Sequence, residues 1–237
     1  MSTPFQFKQF SITQDRCAMK IGTDGVLLGA WANVNSAATI LDIGTGTGVI
    51  AIILAQRTEQ AVIHGVEIDP DACEQANENM QASPWGGRLT AFHASVQSFA
   101  RRADAKYDLI VSNPPFFSGG TFSTSQDKAS VRHTVKLPHG DLLNAVRTML
   151  NKDGRFCAIL PHLEGLRFKE MASNYNLFCS KIMEVRSKPG KPVERLLLQF
   201  EREVKPIVKE ELTIQQDDGN GWSSQYLALT GPFYLNF

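Results

Sequence analysis

Short apolar runs alternate along the chain with longer segments of helical periodicity. Five runs have the length of buried strands: the apolar start of ATILDIGTGTG (38–48), and residues 61–69, 88–96, 107–113 and 155–161. Two further strand-like segments, FCSKIMEVRS and RLLLQFERE, follow as a pair. The helical segments are 24–32, 49–58, 70–82, 140–154 and HLEGLRFKEMASNY. Strands that alternate with helices form a sheet covered on both faces, so the pattern predicts one doubly wound α/β domain.

Capping and breaking residues predict where several of these elements begin and end. Asp24 is a candidate cap of the first helix, and Asp69, before Pro70, is a candidate cap of the polar helix that follows it. Gly154 is expected to end the helix before it. The C-terminal YLALTGPFYLNF is aromatic and contains breakers, so we expect it to pack on the sheet edge or stay partly extended. The weak periodicity of 123–140 predicts a long loop or a marginal helix.

The composition excludes several classes of protein. Of 237 residues 43% are hydrophobic, enough for one core, and Lys plus Arg equals Asp plus Glu at 24 each. No global charge therefore draws the chain to nucleic acid or to an anionic membrane, and any RNA contact needs a local basic patch. No signal peptide or membrane-spanning run is visible, which predicts a cytoplasmic protein. The four cysteines form no CxxC pair and lie near no histidine at ligand spacing, so we expect no metal site.

A glycine-rich turn, LDIGTGTG, lies directly between a predicted strand and a predicted helix. Gly44, Gly46 and Gly48 allow a backbone to approach a ligand closely at a helix N-terminus. A dinucleotide-binding fold prefers the spacing GxGxxG, whereas the spacing here is GxGxG. Asp42, two residues before the first glycine, suits an ammonium group or a water network better than a pyrophosphate. The pattern therefore favours a ligand without phosphates over a nicotinamide cofactor.

Two residues near the ends of the next strands suit the parts of a nucleoside. Glu67 ends the second strand, and a carboxylate can accept hydrogen bonds from both hydroxyls of a ribose diol. Ser95 closes the third strand and either marks the adenine edge of a ligand or is an ordinary surface serine. Both residues are expected at the same edge of the sheet as the glycine turn.

The stretch SNPPFF closes the fourth predicted strand with a rigid step. Asn113 and Pro114 each precede a proline, which pushes both residues toward extended geometry before any substrate binds. The Asn113 side-chain oxygen and the Pro114 carbonyl can then aim at one point, and two acceptors match the two N–H bonds of one amino group. Phe116 is a candidate to stack on a base, and Phe117 to line the pocket. Without the glycine turn upstream, a rigid turn with two core phenylalanines would explain the same letters.

In their order and spacing, LDIGTGTG, VEID and SNPPF resemble the class I S-adenosylmethionine-dependent methyltransferases over nearly the whole chain. The resemblance implies a Rossmann-like, mostly parallel sheet with a final antiparallel strand, and S-adenosyl-L-methionine as cofactor. The cofactor-binding residues that it implies are Asp42, Gly44, Gly46, Glu67, Asn113 and Ser95, the last at a position where the family often has aspartate. The catalytic set that it implies is Asn113, Pro114, Pro115 and Phe116. In this family NPP followed by an aromatic residue marks methylation of adenine N6, cytosine N4, guanine N2 or a glutamine amide.

The segment 7–32 and the ending YLALTGPFYLNF resemble a narrower group, the bacterial tRNA1(Val) adenine-37 N6-methyltransferases. This resemblance implies methyl transfer to N6 of an unpaired adenine in the anticodon stem-loop of tRNA. It also places Thr23, with its neighbours, beside the cofactor, although Thr23 and Asp24 fit a helix cap equally well. We expect a single methyltransferase domain over 1–237, with 1–36 as a capping segment and 37–237 as the Rossmann-like core, and a monomer.

The sequence leaves open two alternatives: a different substrate, and a protein without catalytic activity. Methylation of an rRNA base would use the same chemistry. Protein-glutamine methyltransferases acting on release factors usually have tyrosine after the two prolines and an extra N-terminal helical domain, whereas this chain has Phe116 and a short leader. A catalytically silent cofactor-binding or RNA-binding module is the non-enzyme alternative, and the intact NPPF stretch counts against it.

Local charge indicates where RNA would bind. From Lys181 to Arg195 there are five basic and two acidic residues, a local excess of 5 − 2 = +3. Two prolines and a glycine in this region present lysines on an exposed turn, which suits phosphate contacts and salt-dependent binding. The RNA-binding candidates are Lys188, Lys191 and Arg195, together with Lys128 and Arg132 (beside His133) after the NPPF stretch.

Overall fold

The structure is a computed structural model that describes residues 3–102, 105–115, 137–216 and 221–235. The helices are α1 (Thr23–Trp31), α2 (Val49–Gln56), α3 (Pro70–Ala82), α4 (Val96–Arg102), α5 (His139–Met149), α6 (His162–Ser173) and α7 (Ser224–Thr230). The strands are β1 (Phe5–Gln6), β2 (Ser11–Ile12), β3 (Thr39–Ile43), β4 (Val62–Glu67), β5 (Leu89–His93), β6 (Tyr107–Ser112), β7 (Leu150–Pro161), β8 (Phe178–Arg186), β9 (Arg195–Glu201) and β10 (Val208–Thr213).

One large sheet organises the described residues. Its eight strands follow the order β10-β8-β9-β7-β6-β3-β4-β5, and β1 pairs with β2 in a separate antiparallel hairpin. The pairs from β7 through β6, β3 and β4 to β5 are parallel, as is β10 with β8, whereas β9 is antiparallel to both of its neighbours. The predicted α/β fold with a mostly parallel sheet is confirmed, although the antiparallel strand is β9 and not the last strand of the chain.

Helices cover both faces of the sheet. Side chains of α1, α2 and α3 form one hydrophobic cluster with it, and those of α4, α5 and α6 form a second. Every residue from 49 to 55 in α2 is buried, because this helix lies between the sheet and α1. Gly29 permits that contact, since a Cβ atom there would lie 2.8 Å from Cγ2 of Ile53. No helix within the described ranges is long and apolar enough to cross a membrane.

The carboxyl ends of the parallel strands meet at one edge of the sheet. β3 ends at Ile43, β4 at Glu67, β6 at Ser112 and β7 at Pro161. The hydroxyl of Ser112 is buried and donates to the carbonyl oxygen of Ile43 at 2.9 Å, which ties the end of β6 to the end of β3. In open α/β sheets ligands bind outside this edge, so the fold directs attention there.

One of the two predicted helix caps is confirmed. The Asp69 carboxylate accepts hydrogen bonds from the N–H groups of Asp71 and Ala72 at the start of α3. The cap predicted at Asp24 is wrong, because α1 begins one residue earlier and its N-cap is Gly22, with no side-chain cap. Asp24 lies inside the first turn and its carboxylate pairs with Arg195.

The predicted end of the fifth helix at Gly154 is also wrong. α5 ends at Met149, because Leu150 is extended and buried and pairs with Tyr107 as the first residue of β7. The pairing of β6 with β7 then shifts register between Tyr107 and Leu109. A Cβ atom at Gly154 would lie 2.9 Å from both the Tyr107 carbonyl oxygen and Cδ1 of Leu150. The glycine is therefore required by close strand contact.

The C-terminal segment forms a helix that contacts the outer strand β10, so the expected packing on the sheet edge is confirmed and the extended alternative is not. Ser223 caps α7 by accepting a hydrogen bond from the N–H of Tyr226. Beyond this helix the chain meets the N-terminal hairpin: the Phe7 ring stacks on Tyr234 with centroids 5.7 Å apart, and the Lys8 N–H donates to the carbonyl of Phe233 at 2.8 Å. The two ends of the chain are thus held together by aromatic packing.

Candidate active site at the carboxyl edge of the sheet

A cavity of about 310 Å³ opens at the carboxyl edge of β3, β4 and β6. Its volume is in the range of small-molecule sites, roughly 300–1,000 Å³. The walls come from residues 17–19, the glycine loop (44–48), the end of β4, the loop after β5, residues 112–115 and residues 137–138. The cavity therefore joins the glycine turn and the NPP stretch in one space.

Two glycines present bare backbone to this cavity. Gly44 and Gly46 have φ angles of +72° and +54°, in the left-handed region that favours glycine. Apart from their chain neighbours, no described residue has an atom within 4 Å of the position that a Cβ would take at either glycine. At Gly48, by contrast, a Cβ would meet Cε of Met80 at 3.3 Å. The first two glycines thus leave room for a ligand, and the third allows packing on α3.

The N–H groups of the glycine loop are already engaged by the end of β4. Those of Gly44 and Thr45 donate to the Val66 carbonyl at 2.8 and 3.2 Å, and that of Gly46 donates to Glu67 Oε2 at 2.9 Å. A phosphate-binding turn needs such N–H groups for its ligand. This arrangement, with a carboxylate beside it, supports the sequence-based preference for a ligand without phosphates.

Glu67 lies at the centre of the cofactor side of the cavity. In addition to Gly46, its carboxylate binds the N–H groups of Ile68 and Asp69 through Oε1, at 2.9 and 3.1 Å. Three donors therefore fix its orientation. A carboxylate has about four acceptor positions. Glu67 also lines the cavity, so it retains acceptor capacity for a ligand hydroxyl there.

Asp42 lies beneath the glycine loop and is not among the residues that line the cavity. It is 0% exposed; Thr45 Oγ1 donates to its Oδ2 at 2.7 Å, and its Oδ1 has no partner among the described residues. Burial raises the pKa of this carboxyl to about 7, the charge of Glu67 adds to the rise, and the Thr45 hydroxyl opposes it. A cation close to Asp42 would favour the charged form of its carboxyl group. That Asp42 helps to bind the cofactor therefore stays a prediction.

The other two predicted cofactor residues lie in different settings. Ser95 lines the cavity, and its hydroxyl oxygen also accepts a hydrogen bond from the Ser98 N–H at the start of α4, at 3.2 Å. The two roles considered for Ser95 are therefore compatible. Thr23 is the exposed first residue of α1 and does not line the cavity.

The NPP stretch forms the wall opposite Glu67. Pro114 is buried, Asn113 and Pro115 are half-buried, and all three line the cavity. β3 lies between β4 and β6, so Glu67 and Asn113 stand on either side of the glycine loop, roughly 10 Å apart across two strand spacings. The predicted residues Phe116, Phe117, Lys128, Arg132 and His133 lie outside the described residues.

The basic turn between β8 and β9 lies at the same edge of the sheet. Arg195 at the start of β9 pairs with Pro161 at the end of β7, and its Nε binds Asp24 Oδ2 at 2.9 Å. Lys188 and Lys191 are exposed, and a hydrogen bond of 3.2 Å from the Lys191 N–H to the Lys188 carbonyl closes their turn. These two lysines therefore face solvent on the side where the cavity opens.

Several cavity residues escaped the sequence analysis. Ile68 follows Glu67 directly and could have been named from that position, since it is 44% exposed and lines the cavity. Residues 17–19 and 137–138 come from segments without a motif, and only the fold brings them to the site. Over the described ranges no group of three or more His, Cys, Asp or Glu is placed to hold a metal ion.

Two solved structures described as methyltransferases share this fold. The structure described as a predicted O-methyltransferase from Agrobacterium tumefaciens matches with a TM-score of 0.69 and 16% identity over 89% of this chain and 96% of that one. A ribosomal protein L11 methylase from Lactobacillus delbrueckii subsp. bulgaricus matches with a TM-score of 0.53 and 18% identity over 76% and 77%. At these identities the likeness shows the fold. The sheet order, with a cavity at its carboxyl edge, is that of the class I methyltransferase fold.

Sequence relatives place the chain within that class. The model of the methyltransferase small domain matches residues 19–160. A tRNA1(Val) (adenine(37)-N6)-methyltransferase of Histophilus somni (strain 129Pt) is 45% identical over 98% of both chains, and one of Yersinia pseudotuberculosis serotype O:3 (strain YPIII) is 42% identical over 98% of this chain and 92% of its own. The chain belongs to the family of tRNA1(Val) (adenine(37)-N6)-methyltransferases.

The cavity fits S-adenosylmethionine, the cofactor of this class. The open space above Gly44 and Gly46 gives a backbone surface for it, and Glu67 would accept hydrogen bonds from its ribose. Below the loop, the unpartnered oxygen of Asp42 and the carboxylate of Glu67 make the surroundings acidic, which suits a ligand with cationic groups. The N–H groups of Gly44, Thr45 and Gly46 are engaged within the protein, which suits this cofactor because it carries no phosphate.

The buried Asp42 gives a prediction on pH. Its pKa is about 7 in the folded protein and 3.8 for the ordinary group, so the folded state holds the proton more tightly. The tighter proton binding by Asp42 therefore stabilises the folded state fully below pH 4, and this stabilisation is lost as the pH rises through about 7. Asp42→Asn cannot ionise. Its free energy of unfolding, relative to wild type, should rise by at least about 1 kcal/mol from pH 5 to pH 8 in urea titrations. A difference that does not change with pH would contradict the assignment.

Proposed function

We propose that the protein transfers the methyl group of S-adenosylmethionine to N6 of adenine 37 in the anticodon loop of tRNA1(Val). The observation that supports this most strongly is the placement of Asn113 and Pro114 in the same cavity as Glu67 and the glycine loop. The site for the cofactor and the rigid site for a planar amino group therefore lie side by side in one cavity. The names of the relatives with 42–45% identity give the same substrate for those proteins.

The NPP stretch acts by holding an amino group. The amino nitrogen of adenine is a weak nucleophile, because its lone pair is delocalised into the ring. The Asn113 side-chain oxygen and the Pro114 carbonyl would each accept one of its N–H bonds, which favours a pyramidal nitrogen. When bound, S-adenosylmethionine supplies an electrophilic methyl group on a sulfonium. As the nitrogen–methyl bond forms and the methyl–sulfur bond breaks, with its electron pair left on sulfur, the two oxygens would stabilise the positive charge on nitrogen, which would then pass one N–H proton to water.

Rigidity makes this arrangement effective. Asn113 and Pro114 each precede a proline, and the Ser112 hydroxyl ties the strand end to Ile43 just before them. The acceptors are therefore held in place before the substrate arrives, and little reorganisation is needed during the reaction. The target base must leave its stack to reach this cavity, which is easiest for an unpaired base in a loop.

The basic turn supports a site for RNA phosphates beside the cavity. Lys188 and Lys191 are exposed at the carboxyl edge, two to three strands from Asn113 in the sheet order. Arg195 is held by Asp24, so it would contact RNA as part of that pair. We assign the anticodon stem to this turn; contacts of Lys128 and Arg132 with RNA stay predictions, because both lie outside the described residues.

The organisation of the chain is also a proposal. We infer a single domain in which residues 1–36 cap the cofactor site, since residues 17–19 already form one of its walls.

A monomer is supported by the outer strand β10, where Lys209 and Glu211 are exposed and make edge-to-edge pairing unfavourable. Light scattering on a gel-filtration column would show a mass above 26.2 kDa if this is wrong. A tRNA substrate supports a cytoplasmic location.

Parallel methylation reactions test the proposed function. Labelled S-adenosylmethionine is offered with total tRNA, total rRNA or release factor, and any labelled RNA is digested to nucleosides. We expect N6-methyladenosine in tRNA, at position 37 of tRNA1(Val). Label in rRNA or in release factor would assign another substrate to the same site. Cofactor binding without transfer to any of the three would favour a catalytically silent module.

The first prediction concerns the acceptor oxygen. Asn113→Ala should lower kcat for tRNA methylation by at least about 100-fold, because an acceptor for the developing charge is lost. Asn113→Asp keeps a side-chain acceptor and should retain more activity than the alanine variant. The dissociation constant of S-adenosylmethionine, measured by calorimetry, should stay close to wild type in both. An alanine variant as active as wild type would exclude the mechanism.

The second prediction concerns the basic turn. Replacing Lys188 and Lys191 together by Gln should raise the KM for tRNA and reduce the slope of log affinity against log salt by about one unit per lysine. The matched control is the double replacement of Lys106 and Lys152 by Gln, which removes the same charge from exposed positions at the amino edge, where β6 and β7 begin. Equal effects of both pairs of replacements would show that only net charge matters. If the replacement of Lys188 and Lys191 had no effect, the assignment of RNA binding to this turn would be wrong.

A further inference from the structure

Residues 13–20, which we call the strap, connect the N-terminal hairpin to α1 and form one wall of the cavity. Strap residues Cys17, Ala18 and Met19 line the cavity on the side of Glu67. Burial, with a smaller contribution from the charge of Glu67, raises the pKa of the Cys17 thiol to about 11, in keeping with this proximity. The strap contains no helix or strand, so its position depends on side-chain contacts.

Asn79 on α3 makes the contacts that join the strap to the glycine loop. It is 4% exposed and does not line the cavity. Its Oδ1 accepts from the Thr13 N–H at 2.9 Å, and its Nδ2 donates to the Thr13 carbonyl at 2.8 Å and to the Thr47 carbonyl at 2.9 Å. Thr13 belongs to the strap and Thr47 to the glycine loop. One buried amide thus connects two walls of the cofactor site.

A second set of contacts holds the middle of the strap from the same helix. Gln75, one turn before Asn79, is 0% exposed, and its Oε1 accepts from the Arg16 N–H at 3.1 Å. The Arg16 guanidinium binds Glu74 Oε2 at 3.0 Å and also pairs with Glu78. These ion pairs lie at the surface, where such pairs contribute little and are screened by salt. The buried amides are therefore the stronger part of the attachment.

We propose that Asn79 is a positioning residue for cofactor binding, which holds the strap and the glycine loop at a fixed separation across the cavity. The proposal rests on the proposed function only in that the cavity binds S-adenosylmethionine. An aspartate at position 79 would keep an acceptor for Thr13 but lose both N–H donors. Its carboxylate would then face the carbonyl oxygens of Thr13 and Thr47, and the strap would separate from the glycine loop.

The chain offers a matched control on the same helix. Asn77 accepts from the Ala91 N–H at 2.8 Å and donates to the Ala91 carbonyl at 2.9 Å, so it ties α3 to β5 with the same chemistry. It touches neither the strap nor the glycine loop in these bonds. Asn77→Asp therefore reproduces the loss of a bridging amide without affecting the attachment of the strap.

The test measures S-adenosylmethionine binding by calorimetry in the absence of RNA, together with hydrogen exchange of the peptide covering residues 13–20. Asn79→Asp should raise the dissociation constant at least about tenfold and speed exchange in the strap. The value of kcat at saturating cofactor and the KM for tRNA should stay unchanged. In wild type the bound cofactor should slow exchange in the strap. Asn77→Asp should alter neither the dissociation constant nor strap exchange.

A folded Asn79→Asp variant with wild-type cofactor affinity would overturn the proposal, as would equal weakening by Asn77→Asp. If Asn79→Asp does not fold, Asn79→Ala takes its place, because it removes the bonds to Thr13 and Thr47 without placing a charge against their carbonyl oxygens. That variant should weaken cofactor binding at least about fivefold. An unchanged affinity would then overturn the proposal. Wild-type protein that binds no S-adenosylmethionine would instead contradict the proposed function itself.

Discussion

The carboxylate of Glu67 is the constraint on which the cofactor side of this protein depends. It binds the N–H groups of Gly46, Ile68 and Asp69, and so joins the loop after β3 to the loop after β4. The glycine loop is thereby fixed with its backbone toward the cavity, and the N–H groups of Gly44, Thr45 and Gly46 are engaged by the end of β4. A single acidic side chain thus shapes the binding surface.

The acceptor side is fixed by a different means, but on the same sheet. Ser112 binds the Ile43 carbonyl and so ties the end of β6 to β3, and the two prolines then stiffen the chain that continues from it. Because β3 lies between β4 and β6, the cofactor side and the acceptor side share one rigid support. Two reacting groups can then be held at a defined separation, as a transfer reaction requires.

Local signals were enough to predict the site's main walls, whereas its cover was expected only from the family resemblance of segment 7–32. Glu67, Asn113 and the glycines follow strands directly, so the parallel sheet brings them together without further information. The composition and periodicity of residues 13–20 do not show which contacts hold them, and they reach the cavity because amides on α3 bind them there. The strand β10 and the short helix α4 were missed because VKEELT and VQSFARR are polar and brief. Gly154 misled the prediction because strand contact and helix termination favour the same residue.

The most direct test of this account is the affinity of Glu67→Gln for S-adenosylmethionine, measured by calorimetry on folded protein. Glutamine can keep an acceptor for Ile68 and Asp69, but its amide would face the Gly46 N–H as a donor. We expect the dissociation constant to rise at least about tenfold. Glu59→Gln, an exposed change after α2, should leave it unaltered. A folded Glu67→Gln variant that binds the cofactor as tightly as wild type would contradict the account.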